Sequence, residues 1–391
     1  MTATPMRTGV IGLNPGRHWA AAALQPALAV ACEIVGVANR TPESAQRTAQ
    51  APGLYHAFAS PAELAASSEI GLVVVAVKVP RHLEPVALEA GKHVHCEWPL
   101  GNRLAEARQL ARLAEENGAV AVSGTQARTP PEILHLEKLV AEDNVGSVLS
   151  TSLIGSGGNW AGTTSAELCY LFDTSNGETM QDIPTGHARA SVQNVLDGFG
   201  PAGARSLSDF DTVTVIETGE DRPKTAADQV LVQGAMDSGA AFSLHYRGGT
   251  GRGTNFLWEI DGTGADLQAT AGLGHEQLAQ LSIRGARGGE SEMTPQMPEA
   301  SAHGGRPDFA GARNIAGMYA LMAGDIRTGS RSAPSFADAV KLHELLDRIG
   351  RSPPPRAVPA RSGSPGLETR DAPREHGAPP RHDTRREPSS P

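Results

Sequence analysis

The sequence predicts an α/β fold with a doubly wound parallel sheet at its N-terminal end, followed by an α+β domain with a mostly antiparallel sheet. Residues 8–125 alternate short β-branched runs with Ala- and Leu-rich stretches of helical length. Beyond residue 145, several strand-like runs follow one another with Gly-, Asp- and Ser-rich turns between them. Alternating strands and helices are typical of a parallel sheet, and consecutive strands of an antiparallel one.

Local signals predict each element of the first part. Its strands are short, apolar and flanked by turn residues, and several of its helices begin with Pro or follow a turn residue. The predicted strands are Thr8–Leu13, Glu33–Ala38, Leu72–Val77, His93–Glu97 and Ala119–Ser123, and the predicted helices are Trp19–Val30, Pro42–Gln50, Pro61–Ser67, Leu83–Ala90 and Leu104–Asn117.

The same signals predict the second part, which we divide from the first to give domains 1–125 and 126–351. The predicted strands there are Val148–Ile154, Val213–Glu217, Gln229–Ala235, Ala241–Tyr246, Phe256–Asp261 and Leu267–Ala271, and the predicted helices are Pro131–Ala141, Asp182–Leu196, Ala310–Arg327 and Phe336–Ile349.

Residues 352–391 form a separate tail by composition. They hold 10 of the 28 prolines, 7 arginines and 5 acidic residues, with almost no large apolar side chain. Such a segment cannot bury enough surface to offset its ordering entropy, so we predict a disordered tail. A solvated tail without a role and a peptide ligand around Pro353–Pro355 remain the two interpretations.

Composition excludes several classes of partner. The net charge of −9 argues against direct nucleic-acid binding. Three widely spaced cysteines form no metal-binding pattern, so we expect no metal and a reducing compartment. The longest apolar run, Leu72–Val77, is far too short to cross a membrane, and the N-terminus lacks a signal-peptide pattern. We therefore expect a cytoplasmic protein without a membrane or nucleic-acid partner.

A glycine-rich turn follows the first predicted strand and precedes an Ala-rich helix. Gly12 and Gly16 suit a tight turn and a close backbone approach to a pyrophosphate at a helix N-terminus. Asn14 occupies the position of the second glycine in G-x-G-x-x-G, and Asn tolerates left-handed backbone geometry. The turn, which includes Leu13 and Arg17, predicts a dinucleotide site; a turn that binds nothing is the alternative.

The end of the second predicted strand indicates which dinucleotide binds. A free ribose 2′-hydroxyl usually meets an Asp or Glu at this point. The chain offers Asn39, Arg40 and Thr41 instead, which suit a 2′-phosphate. We therefore expect NADP(H) in preference to NAD(H), with a merely solvated Arg40 as the alternative.

Several segments resemble the glucose–fructose oxidoreductase / inositol dehydrogenase / MocA (Gfo/Idh/MocA) family. The longest, Ala90–Leu100, follows the family pattern A-G-K-x-V-x-x-E-K-P-L except at Trp98. This resemblance covers residues 8–350 and implies an N-terminal Rossmann domain that binds a nicotinamide nucleotide. The other segments that carry it are the turn at Gly12, Leu72–His82, Gly262–Leu267 and Ser335–Ala339.

Within the family, the chain resembles the branch that contains the galactose-pathway transcriptional repressor of yeasts. This likeness implies a second domain with a large open sheet, a homodimer formed through that sheet, and a bound nicotinamide nucleotide. The yeast repressor binds NAD(P) and masks an activator. The segments that carry the likeness are Gly12–Asn14, Lys78–His82, Glu97–Trp98, Gly155–Trp160, Asp173–Gly177, Thr185–His187 and Pro223–Thr225.

Two departures remove acid/base groups that the family uses. Trp98 stands where the family has a lysine. The family's D-x-x-x-H pattern places both residues on one helix face; His187 fits the histidine, but Ile183 replaces the aspartate. Asp182 is one position off, about 100° around a helix, and should not replace that carboxylate unless the local backbone differs. His187 is therefore the first catalytic candidate, and a buried structural histidine is the alternative.

Lys78 is the second catalytic candidate. It ends the third predicted strand, and the ends of adjacent parallel strands face one crevice. We hypothesise that it supplies an ammonium group in place of the missing lysine; a solvated or pyrophosphate-bound lysine is the alternative. The likeness adds Val77, Lys78, His82 (or a helix cap at His82), Glu97 and Trp98 to the cofactor site, and Gln126, Arg128, Trp160, Tyr170 and His187 to the substrate pocket.

Two functional hypotheses follow. The first is an NADP(H)-dependent oxidoreductase of a sugar-like or other small carbonyl or polyol substrate. The second is a catalytically inactive protein that senses a nicotinamide nucleotide and regulates a protein partner. Losing two of three acid/base groups favours the regulator. Because the scaffold is far more often an enzyme, we interpret the chain as an oxidoreductase.

Overall fold

Two large sheets organise the part of the chain that the computed structural model describes, residues 5–13, 23–50, 56–77, 84–299 and 306–350. The first sheet has five parallel strands in the order β2-β1-β3-β4-β5, which confirms the predicted doubly wound domain. Its strands are β1 Met6–Ile11, β2 Cys32–Ala38, β3 Leu72–Val75, β4 His93–Glu97 and β5 Ala121–Gly124.

Helices α2, α3 and α5 begin where the sequence signals predict. Thr41 and Ser60 cap α2 and α3, because each side-chain oxygen accepts a backbone N–H of the first turn, and a proline follows each cap. The helices are α1 Gln25–Leu28, α2 Pro42–Ala49, α3 Pro61–Ala66, α4 Glu84–Glu89 and α5 Leu104–Glu116. Residues 14–22, which include the predicted start of α1, lie outside the described residues.

The second large sheet has eight strands in the order β16-β15-β14-β13-β6-β12-β11-β8. All neighbours are antiparallel except β6 and β12, which confirms the predicted mostly antiparallel sheet. Its strands are β6 Val148–Ser156, β8 Phe199–Leu207, β11 Gln229–Met236, β12 Ala241–Arg247, β13 Phe256–Gly262, β14 Ala265–Ala271, β15 Ser282–Arg287 and β16 Thr294–Pro295.

Several details differ from the sequence-based prediction, which contained none of the strands β7, β8, β10, β15 and β16. The run predicted as Val213–Glu217 belongs to a separate three-stranded sheet of β7 Thr163–Thr164, β9 Thr212–Val215 and β10 Asp221–Pro223. Strand β8 was not predicted, because its sequence contains Gly200, Pro201 and Gly203, which usually interrupt strands. It is stable in this place because it is the edge strand, where a proline removes no ladder bond on the open side.

The last two helices complete the two hydrophobic clusters that pack against the first sheet. Ile315 and Tyr319 of α8 pack into the core under β1 and β3, while Phe336 and Leu342 of α9 pack against α5. The last two helices therefore return to the first sheet. These elements are α6 Pro131–Ala141, α7 Pro184–Val195, α8 Ala310–Thr328 and α9 Phe336–Gly350.

Within the described ranges, no helix combines the length and apolarity that a bilayer crossing requires. The predicted disordered tail, residues 352–391, lies outside the described residues.

Candidate functional site

The turn after β1 brings three strand ends together. Gly12 has a φ of +93°, and its N–H donates to the carbonyl of Ala38, at the end of β2, over 2.9 Å. A Cβ here would lie 2.6 Å from the carbonyl oxygen of Ala76, just after β3, and equally close to Val77. A side chain would therefore overlap the backbone as well as strain it. This close approach is what a dinucleotide turn requires.

Asn39 holds this turn from the end of β2. Its nearly buried side chain donates to the carbonyl of Leu13 and to Thr48 Oγ1, each over 3.0 Å. The hydroxyl of Thr41 caps α2. Arg40 is exposed and makes no hydrogen bond or ion pair within the described part of the chain. Of the three residues predicted to suit a 2′-phosphate, Arg40 is the one whose side chain has no local structural task.

Trp98 lies in the core, directly after β4. Its side chain is 7% exposed, and its Nε1 donates to the carbonyl of Asp182 over 2.7 Å. The indole also contacts Gly186, where a Cβ would lie 2.6 Å from Nε1, and its ring centroid lies 4.9 Å from that of His343. The peptide bond from Trp98 to Pro99 is cis. The indole therefore joins the first sheet to the start of α7.

Helix α7 begins just before His187 and does not include Asp182. Ile183 is its N-cap, and Pro184 is its first residue. The Asp182 carboxylate accepts hydrogen bonds from the N–H and the hydroxyl of Thr179 over 2.9 and 2.6 Å. The helical-wheel argument against Asp182 therefore does not apply, because the residue precedes the helix. Its carboxylate is nevertheless committed to the local turn.

His187 is buried and neutral. Its side chain is 3% exposed, and burial, with a smaller contribution from His275, lowers its pKa from 6.5 to about 3. Its Nδ1 has no hydrogen-bond partner among the described residues. A buried ring nitrogen without a partner is costly unless a bound molecule meets it. This nitrogen is therefore available for a ligand.

Four segments meet in a buried polar junction. They are α7, the first half of α8, and the two 3₁₀ turns Gln126–Arg128 and Glu276–Leu278. Hydrogen bonds join them, since Thr129 donates to the carbonyl of Asn314, whose side-chain amide donates to the carbonyl of Gln277. We call this the polar junction; its polar residues are Gln126, His187, Ser191, Glu276, Gln277 and Asn314.

Nothing in the sequence marks Ser191 or Glu276. Ser191 lies one turn after His187 on α7, and its Oγ lies 2.7 Å from Glu276 Oε1. Glu276 is fully buried, and burial raises its pKa from 4.5 to about 8, although the Ser191 contact acts in the opposite direction. In sequence, this glutamate sits in a loop between two strands, and only the three-dimensional contact with α7 brings it to the site.

Arg128 does not face the polar junction. Its Nε donates to Asn194 Oδ1 over 2.8 Å, and its Nη1 lies 3.1 Å from Asp338 Oδ2. These contacts tie the Gln126–Arg128 turn to α7 and α9. Its guanidinium thus belongs to a network with Asn194 and Asp338, and its place in a substrate pocket stays a prediction. Gln126, in the same turn, is buried with Oε1 unpartnered among the described residues.

Trp160 lies one layer behind the site. It is 1% exposed, and its Nε1 donates to the carbonyl of Leu171 over 2.9 Å. Its indole stacks on the ring of His275, with centroids 6.1 Å apart and planes at 12°. Trp160 therefore positions His275, which in turn lies close enough to influence His187. Tyr170 is partly buried in the 3₁₀ segment Ala166–Phe172 and packs against the same core.

Five predicted site residues, Asn14, Gly16, Arg17, Lys78 and His82, lie outside the described residues. Leu13 and Val77 lie at the Gly12 turn, and Glu97 ends β4 close to Tyr319. Within the described ranges, no group of His, Cys, Asp and Glu side chains has the arrangement of a metal site.

Comparisons with known proteins match both parts of the chain. A family model described as the oxidoreductase family with the NAD-binding Rossmann fold matches residues 6–125, and one described as the C-terminal domain of Gal80p matches residues 131–271. A solved structure of a super-repressor mutant of Gal80p from Saccharomyces cerevisiae superposes with a TM-score of 0.80, at 23% identity, over 89% of this chain and 96% of that one.

Two curated relatives differ in kind. The galactose/lactose metabolism regulatory protein GAL80 of Saccharomyces cerevisiae is 28% identical over 306 residues, which cover 72% of this chain and 70% of that protein. The dehydrogenase aclE of Aspergillus oryzae is 32% identical over 193 residues, which cover 48% of this chain and 52% of that protein. With its nucleotide-binding sheet and its second sheet both matched, the chain belongs to the Gfo/Idh/MocA oxidoreductase family, in a branch that resembles Gal80.

Proposed function

We propose that the chain is an NADP(H)-dependent oxidoreductase that acts on a sugar-like or other small carbonyl or polyol substrate. The position of His187 carries the proposal. It is buried and neutral, and it follows Gly186, which contacts Trp98 at the carboxyl end of β4. Ligands of doubly wound sheets bind outside the carboxyl ends of the strands. His187 therefore lies at the edge of the sheet where such ligands bind.

The strand ends fit a nicotinamide nucleotide. Gly12 leaves no room for a Cβ between the strands, so the backbone itself faces the ligand. Glu97 ends β4 at the same edge, and exposed Arg40 suits a 2′-phosphate. A bound nucleotide of this kind supplies or accepts the hydride. Asn14, Gly16, Arg17, Lys78 and His82 remain predicted contributors to this site.

The polar junction supports a polyhydroxylated substrate. Its unpartnered buried atoms are mostly acceptors: the side-chain oxygens of Gln126, Gln277 and Asn314, and the Nδ1 of His187. Buried acceptors are satisfied by donors, and each hydroxyl group of a polyol supplies one. An apolar substrate would leave them unpaired at a cost in binding free energy.

The neutral state of His187 defines its part in the chemistry. A neutral imidazole can accept a hydrogen bond from a substrate hydroxyl and so orient it. Because its pKa is about 3, His187 holds no imidazolium proton to donate near neutral pH. Reduction of a carbonyl therefore needs another proton source. Lys78 was predicted for this part and remains a candidate.

Turnover is the experiment that tests the proposal. The purified chain is titrated with NADPH and NADH, and nicotinamide absorbance is then followed with the reduced nucleotide against sugars and keto compounds and with the oxidised nucleotide against polyols. We expect turnover of one substrate class, reduced by about 100-fold or more in His187→Gln. The control is His135→Gln on α6, which should keep wild-type turnover. Wild-type activity in His187→Gln would contradict the proposed part of this histidine.

We further propose that the chain is a cytoplasmic homodimer formed through the outward face of the eight-stranded sheet. One row across that face carries Leu231 on β11, Ile154 on β6 and Leu257 on β13, with His245 of β12 between Leu231 and Ile154. Leu231 and Ile154 are 37% and 38% exposed, which is high for such side chains at the middle of a sheet. A second copy would cover this row.

A nucleotide-sensing regulator of a protein partner is the second candidate. The specific observation in its favour is the buried indole of Trp98, which fills the lysine position and is used in packing. The likeness to GAL80 along most of both chains supports it as well. Tight binding of NADPH, together with no turnover on the full substrate panel, would favour this function over the oxidoreductase.

A further inference from the structure

The hydroxyl of Ser191 has one hydrogen and three oxygen neighbours. Its Oγ lies 3.0 Å from the Ala127 carbonyl, 3.4 Å from the His187 carbonyl and 2.7 Å from Glu276 Oε1. Backbone carbonyls only accept hydrogen bonds. A hydroxyl that donates to Oε1 fits either charge state of Glu276. When the hydroxyl donates to Ala127 instead, the short contact with Oε1 remains a hydrogen bond only if the carboxyl group of Glu276 donates it.

The second oxygen of Glu276 favours the same protonation state. The residue is fully buried, Oε2 has no hydrogen-bond partner among the described residues, and no ion pair within those residues reaches it. An ionised carboxylate is strongly unfavourable in such a place, whereas a neutral carboxyl group is tolerated. Burial accordingly raises the pKa of Glu276 to about 8.

The groups that face Glu276 do not supply a compensating positive charge. His187 on α7 and the adjacent His275 are both held neutral, because burial lowers their pKa values. Tyr246 on β12 donates its hydroxyl hydrogen to a backbone carbonyl. Arg313 on α8 is bonded to a backbone carbonyl and a side-chain amide. Of the other cations, Arg128 pairs with Asp338. Arg189 donates to two carbonyls of α7 and its preceding turn, with Nη1 unpartnered among the described residues. Arg306 lies beside Gly317 of α8, and no ion pair within the described residues joins either arginine to Glu276.

We propose that Glu276 is the proton-carrying carboxyl group of this site, supplied across the polar junction in place of the family carboxylate that Ile183 replaces. The inference rests on the proposed oxidoreductase function. His187 cannot be the acid at neutral pH, and Glu276 contacts the turn of α7 that follows it. The carboxyl group that is missing at Ile183, before α7, is thus provided by Glu276 from the 3₁₀ turn on the other side of the polar junction.

Glu276 contributes only a proton. In the reductive direction its O–H bond breaks and an O–H bond forms on the ligand oxygen, while the hydride and its two electrons come from the nicotinamide nucleotide. Glu276 is left as a carboxylate and takes a proton back from solvent. Oxidation of an alcohol runs the same exchange in reverse.

The test combines a direct readout of protonation with a pH profile. Glu276→Gln keeps an oxygen acceptor beside Ser191 and removes the titration. The matched control is Glu259→Gln on the outward face of the sheet, where Glu259 accepts a hydrogen bond from Gln268. At pH 7 the wild-type chain and the control should show the infrared carbonyl absorption of a buried carboxylic acid. This band should vanish as the pH passes about 8, and it should be missing from Glu276→Gln.

With a substrate in hand, Glu276→Gln should lower reductive turnover at pH 7 by about 100-fold and remove the loss of activity centred near pH 8. Glu259→Gln should change neither. An ionised Glu276 at pH 7, or a variant with the wild-type pH profile, would overturn the inference. Absence of turnover in the wild-type chain would count against the oxidoreductase function. The infrared titration needs no substrate, so it tests the protonation state of Glu276 separately.

Discussion

The indole Nε1 of Trp98 donates a 2.7 Å hydrogen bond to the backbone carbonyl of Asp182, immediately before the helix that carries His187. The residue in the family's lysine position thus positions the start of α7. A lysine would not fill the volume of the indole, and its ammonium group would be costly at a site that is 7% exposed. The change from lysine to tryptophan therefore replaces a proton-handling group with a packing contact between the two parts of the chain.

Gly186 depends on this contact, and Gly186→Ala should destabilise the protein by about 1–3 kcal/mol. The new methyl group would lie 2.6 Å from Trp98 Nε1, so the indole or the helix must shift. Helix propensity alone favours Ala over Gly by about 1 kcal/mol, which makes a loss of stability diagnostic. Urea unfolding measures the effect. The control is Gly324→Ala on α8, where nothing lies within 4 Å of the added carbon, and it should stabilise.

The effect of Gly186→Ala on the free energy of unfolding should change sign when the indole of Trp98 is removed. In a Trp98→Ala background, Gly186→Ala should stabilise by up to about 1 kcal/mol, because only helix propensity remains. Four proteins, the wild type, both single variants and the double variant, give the coupling free energy. Additive effects of the two substitutions would contradict the contact.

Arg40→Ser should weaken NADPH binding by about 10- to 100-fold and leave NADH binding nearly unchanged, because the guanidinium meets the phosphate that NADH lacks. Fluorescence titration with both nucleotides measures the two affinities. Arg47→Ser, an exposed substitution in the last turn of α2, is the control and should alter neither. Equal losses for both nucleotides, or tighter binding of NADH by the wild type, would remove the preference.

Buried neutral histidines should make the fold sensitive to acid. Burial lowers the pKa of His95 from 6.5 to about 3, so below pH 6.5 the unfolded chain binds a proton that the folded chain does not. The stability that neutral His95 contributes is complete above pH 6.5 and falls by about 1.4 kcal/mol per pH unit below it. Between pH 6.5 and 5, His95→Gln should therefore lose about 2 kcal/mol less than the wild type.

Tyr319→Phe separates this effect from a lost hydrogen bond. The Tyr319 hydroxyl lies 2.9 Å from His95 Nδ1, so its removal should cost about 1 kcal/mol at every pH. The slope of stability against pH should stay at the wild-type value, because burial and not the tyrosine lowers the histidine pKa. A slope that flattens in Tyr319→Phe would contradict this assignment.

Ile154→Arg should convert the proposed dimer into a monomer, because a charge at the middle of the eight-stranded sheet would be buried unpaired in a face-to-face pair. Light scattering after size-exclusion chromatography gives the mass. The control is Ile216→Arg, a 65% exposed position outside that sheet, which should leave the mass unchanged. A monomeric wild type would refute the interface outright.

Sequence-based prediction identified the elements that have a strong local signal. It missed the elements whose stability depends on contacts with residues distant in the sequence. The β-branched run before Ala76 and the helix that begins at Pro42 after the Thr41 cap are visible in any short window. Edge strand β8 is not, because its glycines and proline are tolerated only through its position beside β11. The sequence-based prediction also began α7 two residues too early, at Asp182, whereas the helix begins at Pro184 and Asp182 precedes it.

The site was predicted less completely than the fold. His187 and Gln126 were predicted through the family pattern; both belong to the polar junction, and their roles stay predictions. For Arg128 the pattern gives the segment and not the direction of a long side chain, whose contacts with Asn194 and Asp338 only the structure shows. Glu276 carries no motif at all. Its importance comes from burial and from one contact with Ser191, 85 residues away in sequence.

Deuterium transfer tests the central claim most directly. The full chain is incubated with NADPH deuterated at C4 of the nicotinamide and with the panel of sugars and keto compounds, and the products are examined by mass spectrometry. An oxidoreductase with His187 and Glu276 at its site should place one deuterium on the carbon of the new alcohol, and the yield should collapse in Glu276→Gln. Tight NADPH binding without deuterium in any product would contradict the claim and identify the chain as a nucleotide-binding regulator.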